Sequence, residues 1–99
     1  MKRQTITFQK ESISSLADMK SDIRQKMSDS AASYILSIHH ISNTGFNWNS
    51  DENKMTMIRT WEDKDYDDYV EKISTSKKET EIKLKDDGYE VTETIEDIT

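Results

Sequence analysis

The chain has 99 residues and a formal net charge of -6, and its composition is 34% charged and 32% hydrophobic. A chain of this length folds around one core that buries about two thirds of its unfolded surface, so we expect a single domain over residues 1–99. The absence of cysteine excludes disulfide and thiolate chemistry and favours the cytoplasm. No apolar run reaches the length of a signal peptide or a membrane-spanning helix, so we expect no membrane contact.

The first predicted strand covers residues 5–8, where β-branched and aromatic residues alternate with polar ones. A helix is predicted to begin after Ser15, because apolar residues then recur at steps of three and four, and Ser15 with Asp18 resembles a capping box. The apolar stripe consists of Leu16, Met19, Ile23 and Met27. The helix is expected to end between residues 28 and 32, where small polar residues dominate.

Two further strands are predicted in the middle of the chain. Residues 33–42 carry apolar side chains at both odd and even positions, which is typical of a central strand. Residues 54–62 alternate, with Met55, Met57, Arg59 and Trp61 on one face. The segment 43–53 between them is rich in Asn, Gly and Ser, so we predict a hairpin with a long tip.

A second helix is predicted over residues 63–76, where Tyr66, Tyr69, Val70 and Ile73 recur at helical spacing behind a run of acids. Residues 80–85 then alternate, a turn follows at 86–88, and residues 89–95 alternate again. This pattern favours a closing hairpin, although continuation of the helix to Lys85 is an alternative. Residues 96–99 are expected to fray.

The predicted order is therefore β-α-β-β-α-β-β in an α+β fold. We interpret it as a ferredoxin-like sandwich with an extra C-terminal strand, in which two helices cover one face of an antiparallel sheet.

Few residues have the spacing that catalysis or metal binding requires. Asp63, Asp65 and Asp67 are spaced like the start of a calcium loop, but Asp68 stands where glycine is needed and Ser74 where a bidentate glutamate is needed. His39 and His40 are neighbours on a predicted strand and so point to opposite faces. With no phosphate-binding or nucleophile motif present, we predict no catalytic residue, no metal and no cofactor, and therefore no enzyme.

Two features instead indicate a partner-binding surface. Residues 62–99 contain fourteen acidic and six basic residues, a balance that disfavours direct nucleic-acid binding and attracts basic protein surfaces. Phe46 and Trp48 stand among polar residues in the predicted hairpin tip, although they could instead fold back as a short strand or cap the core edge. The candidate partner-binding residues are Asp63, Asp65, Asp67, Asp68, Glu71, Phe46 and Trp48.

The favoured function is a small acidic cytoplasmic protein-binding domain. Carboxylates on a rigid surface can imitate backbone phosphates, so the domain could inhibit a basic nucleic-acid-handling partner, as small proteins of phages and mobile elements do. One alternative is a small-molecule-binding protein or enzyme, dimerised through its sheet, with a pocket beside His40 that includes Tyr34 and Arg59. Another is a structural component that assembles through Phe46 and Trp48.

Overall fold

A computed structural model describes residues 1–29 and 44–98 of the chain. These residues form a four-stranded antiparallel sheet and two helices, which confirms the predicted α+β class. The elements are β1 (Lys2–Gln9), α1 (Leu16–Lys26), β2 (Thr44–Asn49), β3 (Lys54–Trp61), α2 (Asp63–Asp86) and β4 (Glu90–Asp97). The strand order is β2-β3-β1-β4. The predicted strand over residues 33–42 lies outside the described residues, and the ferredoxin-like assignment stays a prediction.

Strand β1 lies between β3 and β4, and its side chains alternate strictly between the two faces of the sheet. Gln4, Ile6 and Phe8 are buried under the helices. The intervening Thr5 and Thr7 lie on the opposite face, which neither helix covers and where Thr7 contacts Thr92 of β4. Both helices pack on the same side of the sheet, as predicted, because their buried residues share clusters with this inward face.

Helix α1 begins as its sequence predicts. The Ser15 hydroxyl accepts a hydrogen bond from the Asp18 backbone N–H at 3.2 Å, which satisfies one of the unpaired donors of the first turn. Met19 and Ile23 are its buried residues. The helix ends at Lys26, slightly before the predicted range of 28–32, because Met27 adopts extended backbone geometry.

Helix α2 is longer than predicted and continues from residue 76 to residue 86. The predicted strand over residues 80–85, and with it the extra C-terminal strand, is therefore wrong, whereas the alternative of a continued helix is confirmed. Leu84 is only 1% exposed because it extends the inward stripe of Tyr69 and Ile73, while Ile82 is 60% exposed. The alternation of Ile82 and Leu84 therefore reflects one outward and one inward position of a helix.

Strand β4 follows a tight turn at Gly88, whose φ of +93° favours glycine. It pairs with β1 along its whole length. The expected fraying at 96–99 is wrong for residues 96–98, because Lys2 Nζ lies 2.5 Å from Asp97 Oδ1 and the Ile98 N–H donates to the Met1 carbonyl at 3.0 Å.

The predicted hairpin tip contains β2, which pairs with β3. Its alternating Phe46 and Trp48 occupy one face, which confirms the alternative that this segment folds back as a short strand. The β2–β3 turn is fixed by the Asn49 side-chain oxygen, which accepts hydrogen bonds from the N–H groups of Asp51 and Glu52.

Candidate functional site

The predicted acidic residues occupy the first turns of α2. Asp63 pairs with the amino terminus at 3.3 Å, and Asp68 pairs with Lys72 at 3.5 Å. Residues two apart on a helix point in nearly opposite directions, so Asp63, Asp65 and Asp67 do not converge on one ion. Across residues 1–29 and 44–98, no group of three or more metal-ligating side chains is found.

The two aromatic residues predicted to bind a partner have different environments. Trp48 is half-buried and packs against the core. Phe46 is 36% exposed, and Lys20 Nζ of α1 lies 4.1 Å above its ring centroid. Both side chains therefore contact other parts of the domain, and Phe46 also lines a cavity.

A cavity of about 290 Å³ lies between the inward face of the sheet and the two helices. The core is divided into two buried clusters, one around Phe8 and Leu84 and the other around Trp61 and Ile73, and members of both line the cavity. Its apolar wall consists of Ile6, Phe8, Ile23, Met27, Phe46, Met55, Met57, Ile73, Leu84 and Val91. The site is therefore an apolar cleft between the sheet and the helices that is partly open to solvent.

The middle of α2 explains why the described residues leave this space unfilled. The helix turns Ser76, Lys77 and Thr80 toward the cavity, at positions where a packed helix normally presents large apolar residues. Two of these side chains are short, and Lys77 reaches away to pair with Glu93 of β4. The helix thus passes over the sheet without closing the gap between them.

Arg59 is the one residue of the apolar β3 face that carries a charge. It is 7% exposed and lines the cavity. Its guanidinium carbon lies 5.4 Å from the ring centroid of Trp61 and 5.3 Å from that of Tyr69. Nη2 donates a long hydrogen bond of 3.4 Å to the Tyr69 hydroxyl, but Nε has no hydrogen-bond partner. No carboxylate of the described residues forms an ion pair with Arg59.

The nearby carboxylate of Glu93 is committed to other groups. Gln4 Nε2 donates to Glu93 Oε2 at 2.6 Å, and Lys77 donates to Glu93 Oε1. Gln4 in turn accepts from the Trp61 indole N–H at 3.1 Å. Burial opposes the charge of Lys77, but its hydrogen bond to Glu93 and the neighbouring acids raise its pKa above the usual value. The hydrogen-bond network that runs from Trp61 through Gln4 and Glu93 to Lys77 is therefore complete without Arg59.

The charges around the cavity are mostly basic, although the protein is acidic. Lys20, Arg24, Arg59 and Lys77 line it together with the single carboxylate of Glu81, among the described residues. Arg24 lies 3.6 Å from Asp29, and Lys77 pairs with Glu93. Arg59 in the wall and Lys20 at the mouth remain without an ion pair in the described part of the chain.

Comparison of the chain with protein-family models, curated proteins and solved structures found no match. Within the described ranges, neither helix combines the length and apolar character needed to cross a membrane. Of the pocket suggested by the sequence, Arg59 lines the observed cavity, whereas Tyr34 and His40 lie outside the described residues.

Proposed function

We propose that this protein is a small-molecule-binding domain whose ligand occupies the cavity between the sheet and the two helices. The single observation that carries the proposal is the cavity of about 290 Å³, which is lined mainly by apolar side chains from the sheet and from both helices. This value lies near the lower end of the range for ligand pockets in proteins. The proposal concerns binding and includes no reaction.

The energetics of the cavity support an apolar occupant. Protein interiors are close-packed, so apolar side chains that border an unfilled space lack contacts that an occupant would supply. A ligand that supplies the missing contacts with Met55, Met57 and Ile73 would recover part of the corresponding free energy. We propose that the protein works in the cytoplasm, which its lack of cysteine supports.

The test is to fill the cavity with a side chain. Ser76 is half-buried and lines the cavity, so Ser76→Leu should occupy part of the ligand space and weaken binding of octan-1-ol by tenfold or more. Ser74 is exposed on the same helix, and Ser74→Leu is the matched control. Isothermal titration calorimetry measures both affinities. Equal affinities of the two variants would refute the proposal, and so would a native protein that binds neither octan-1-ol nor the eight-carbon acid and amide.

A second candidate is the protein-binding function suggested by the acidic composition. The observation in its favour is that Asp67 and Glu71 are exposed one turn apart on α2, with no ion pair among the described residues. A rigid helix can hold such carboxylates toward a basic partner, in the manner of a phage-encoded inhibitor that imitates nucleic acid. Against it, two other predicted acids, Asp63 and Asp68, are already paired within the domain.

This second candidate predicts charge-dependent capture of basic proteins. The double variant Asp67→Asn, Glu71→Gln should lose proteins that the native chain retains from a cell lysate at low salt, and moderate salt should release them from the native chain. The control is Asp51→Asn, Glu52→Gln, which removes the same charge at the β2–β3 turn. Retention that is equal for both variants, or insensitive to salt, would count against a mimic.

A further inference from the structure

We infer that the ligand of this cavity is an amphipathic carboxylate whose head group binds Arg59. The inference rests on the proposed function, because it concerns the same cavity, but it goes further by naming the chemical class of the ligand and its orientation. Four observations carry it: the burial of Arg59, its unpaired Nε, the commitment of Glu93 elsewhere, and the apolar wall beyond Arg59.

Arg59 carries a positive charge that is buried. Arg59 has no counter-ion among the described residues, and because a guanidinium stays protonated in proteins, it cannot escape the cost of desolvation by losing a proton. The aromatic rings of Trp61 and Tyr69 lessen this cost through cation–π contacts, but they leave Nε without an acceptor. An anion entering the cavity would supply both the missing charge and the missing acceptor.

The shape of the Arg59 guanidinium indicates which anion it would bind. The guanidinium fork matches the two oxygens of a carboxylate, and a bidentate pair of this kind is stronger than a neutral hydrogen bond. Arg59 lines the cavity, its Nε is a buried donor without a partner, and the neighbouring Tyr69 hydroxyl offers a further polar contact. Glu93 does not supply the anion, because Gln4 and Lys77 already hold its two oxygens.

The apolar wall of the cavity determines the rest of the ligand. Met55 lies four residues from Arg59 on the same face of β3, about 13 Å away along the strand. Between and beyond them the wall is formed by apolar side chains such as Ile6, Met57 and Leu84. The head group therefore lies at the Arg59 end and an apolar tail extends toward Met55. The volume corresponds to about ten water-sized units, which suits a ligand of about ten non-hydrogen atoms.

The experiment compares octanoate with octanamide, which have the same chain and nearly the same shape but differ in charge. Isothermal titration calorimetry of the native protein should give at least about tenfold tighter binding of octanoate. In Arg59→Met this preference should disappear, while octanamide still binds. The matched control is Arg3→Met, which removes an exposed arginine on the other face of the sheet and should keep the native preference.

The Arg59→Met variant is expected to fold, since replacing an unpaired buried charge by an apolar side chain of similar length is often neutral or stabilising. Its thermal midpoint without ligand should equal or exceed that of the native protein. Octanoate should raise the midpoint of the native protein and of Arg3→Met more than that of Arg59→Met.

The outcomes separate this inference from the proposed function. If octanoate and octanamide bind the native protein equally, the cavity is a ligand site but Arg59 does not select an anion, and the inference is wrong. If neither compound and no octan-1-ol binds, the proposed function itself fails. If Arg59→Met keeps the preference for octanoate, another cation such as Lys20 holds the head group and the assignment to Arg59 is overturned.

Discussion

Gln4 shows how a single buried side chain joins separate parts of the domain. It is completely buried in β1, accepts a hydrogen bond from Trp61 and donates one to Glu93. Its amide has both a donor and an acceptor, and each is used. Its removal therefore leaves an indole N–H and a carboxylate oxygen without their present partner.

We predict that Gln4→Met lowers the free energy of unfolding by about 1–3 kcal/mol, because the two partners lose their hydrogen bonds while remaining buried or half-buried. Urea denaturation monitored by tryptophan fluorescence measures the change. The control is Gln9→Met on the same strand, where a half-buried side chain donates a solvent-exposed hydrogen bond to the Glu52 carbonyl and a change below about 0.5 kcal/mol is expected. Similar losses in the two variants would contradict the role given to Gln4.

The inward position of Arg59 was predictable, because strand alternation places it on one face with Met55, Met57 and Trp61. Its lack of an ion pair was not predictable. That property depends on Gln4 and Lys77 taking both oxygens of Glu93, and these residues are far apart in sequence. The sequence signal for the cavity was Arg59 itself, a charged residue between apolar residues on one face of β3.

At the level of elements, the sequence of α2 explains why the apolar pattern did not predict the helix beyond residue 76. Its inward stripe passes from Ile73 through Ser76, Lys77 and Thr80 before apolar character returns at Leu84. The polar interruption coincides with the part of the helix that faces the cavity. After this interruption Ile82 and Leu84 stand two residues apart, a spacing that is typical of a strand, so the sequence favours a strand over a continued helix.

Strand β2 was predicted only as an alternative to a loop tip, for a related reason. Its sequence TGFNWN has no charge and is rich in residues that favour turns, so composition predicted a loop tip. Pairing with β3 and the contacts of Trp48 with the core override those local preferences. The alternation of Phe46 and Trp48 was the signal of a strand, and two residues were too few to outweigh the surrounding polar sequence.

At the level of the whole molecule, a cluster of charges ties α1 to the end of β1 and to the turn after α2. Lys26 Nζ lies 2.9 Å from Asp22 and 3.0 Å from Asp87, and Lys10 Nζ lies 2.6 Å from Asp87. The Tyr89 hydroxyl donates to Asp22 at 2.6 Å. Hydrogen bonds from Tyr89 and Lys26 lower the pKa of Asp22, and those from Lys10 and Lys26 lower the pKa of Asp87.

These shifts predict acid sensitivity. A carboxyl group whose pKa is lower in the folded state than its ordinary 3.8 contributes stability that is present above that value and is lost as the pH falls through the folded pKa. The free energy of unfolding should therefore decline from about pH 5 downward. Burial and the bond to Asp22 raise the pKa of Tyr89, so its contribution is present below pH 10 and is lost on further alkalinisation.

Urea denaturation at a series of pH values measures this profile. Asp22→Asn should make the decline between about pH 5 and pH 3 shallower, because the titrating carboxyl is removed. The control is Asp51→Asn in the β2–β3 turn, whose carboxylate is exposed and has no ion pair in the described part of the chain. A slope that Asp22→Asn leaves as steep as in the native protein would show that the cluster does not set the acid limit.

The acidic residues of β4 also limit how sheets of two copies can join. In the described sheet β4 is an outer strand, and it carries Glu90, Glu93, Glu96 and Asp97. Antiparallel pairing of two such strands with Glu93 opposite Thr94 would also place Glu90 opposite Asp97, and like charges at facing positions repel. This side of the sheet is thereby protected from the strand-by-strand growth that leads to fibrils, a benefit of acidity that requires no binding partner.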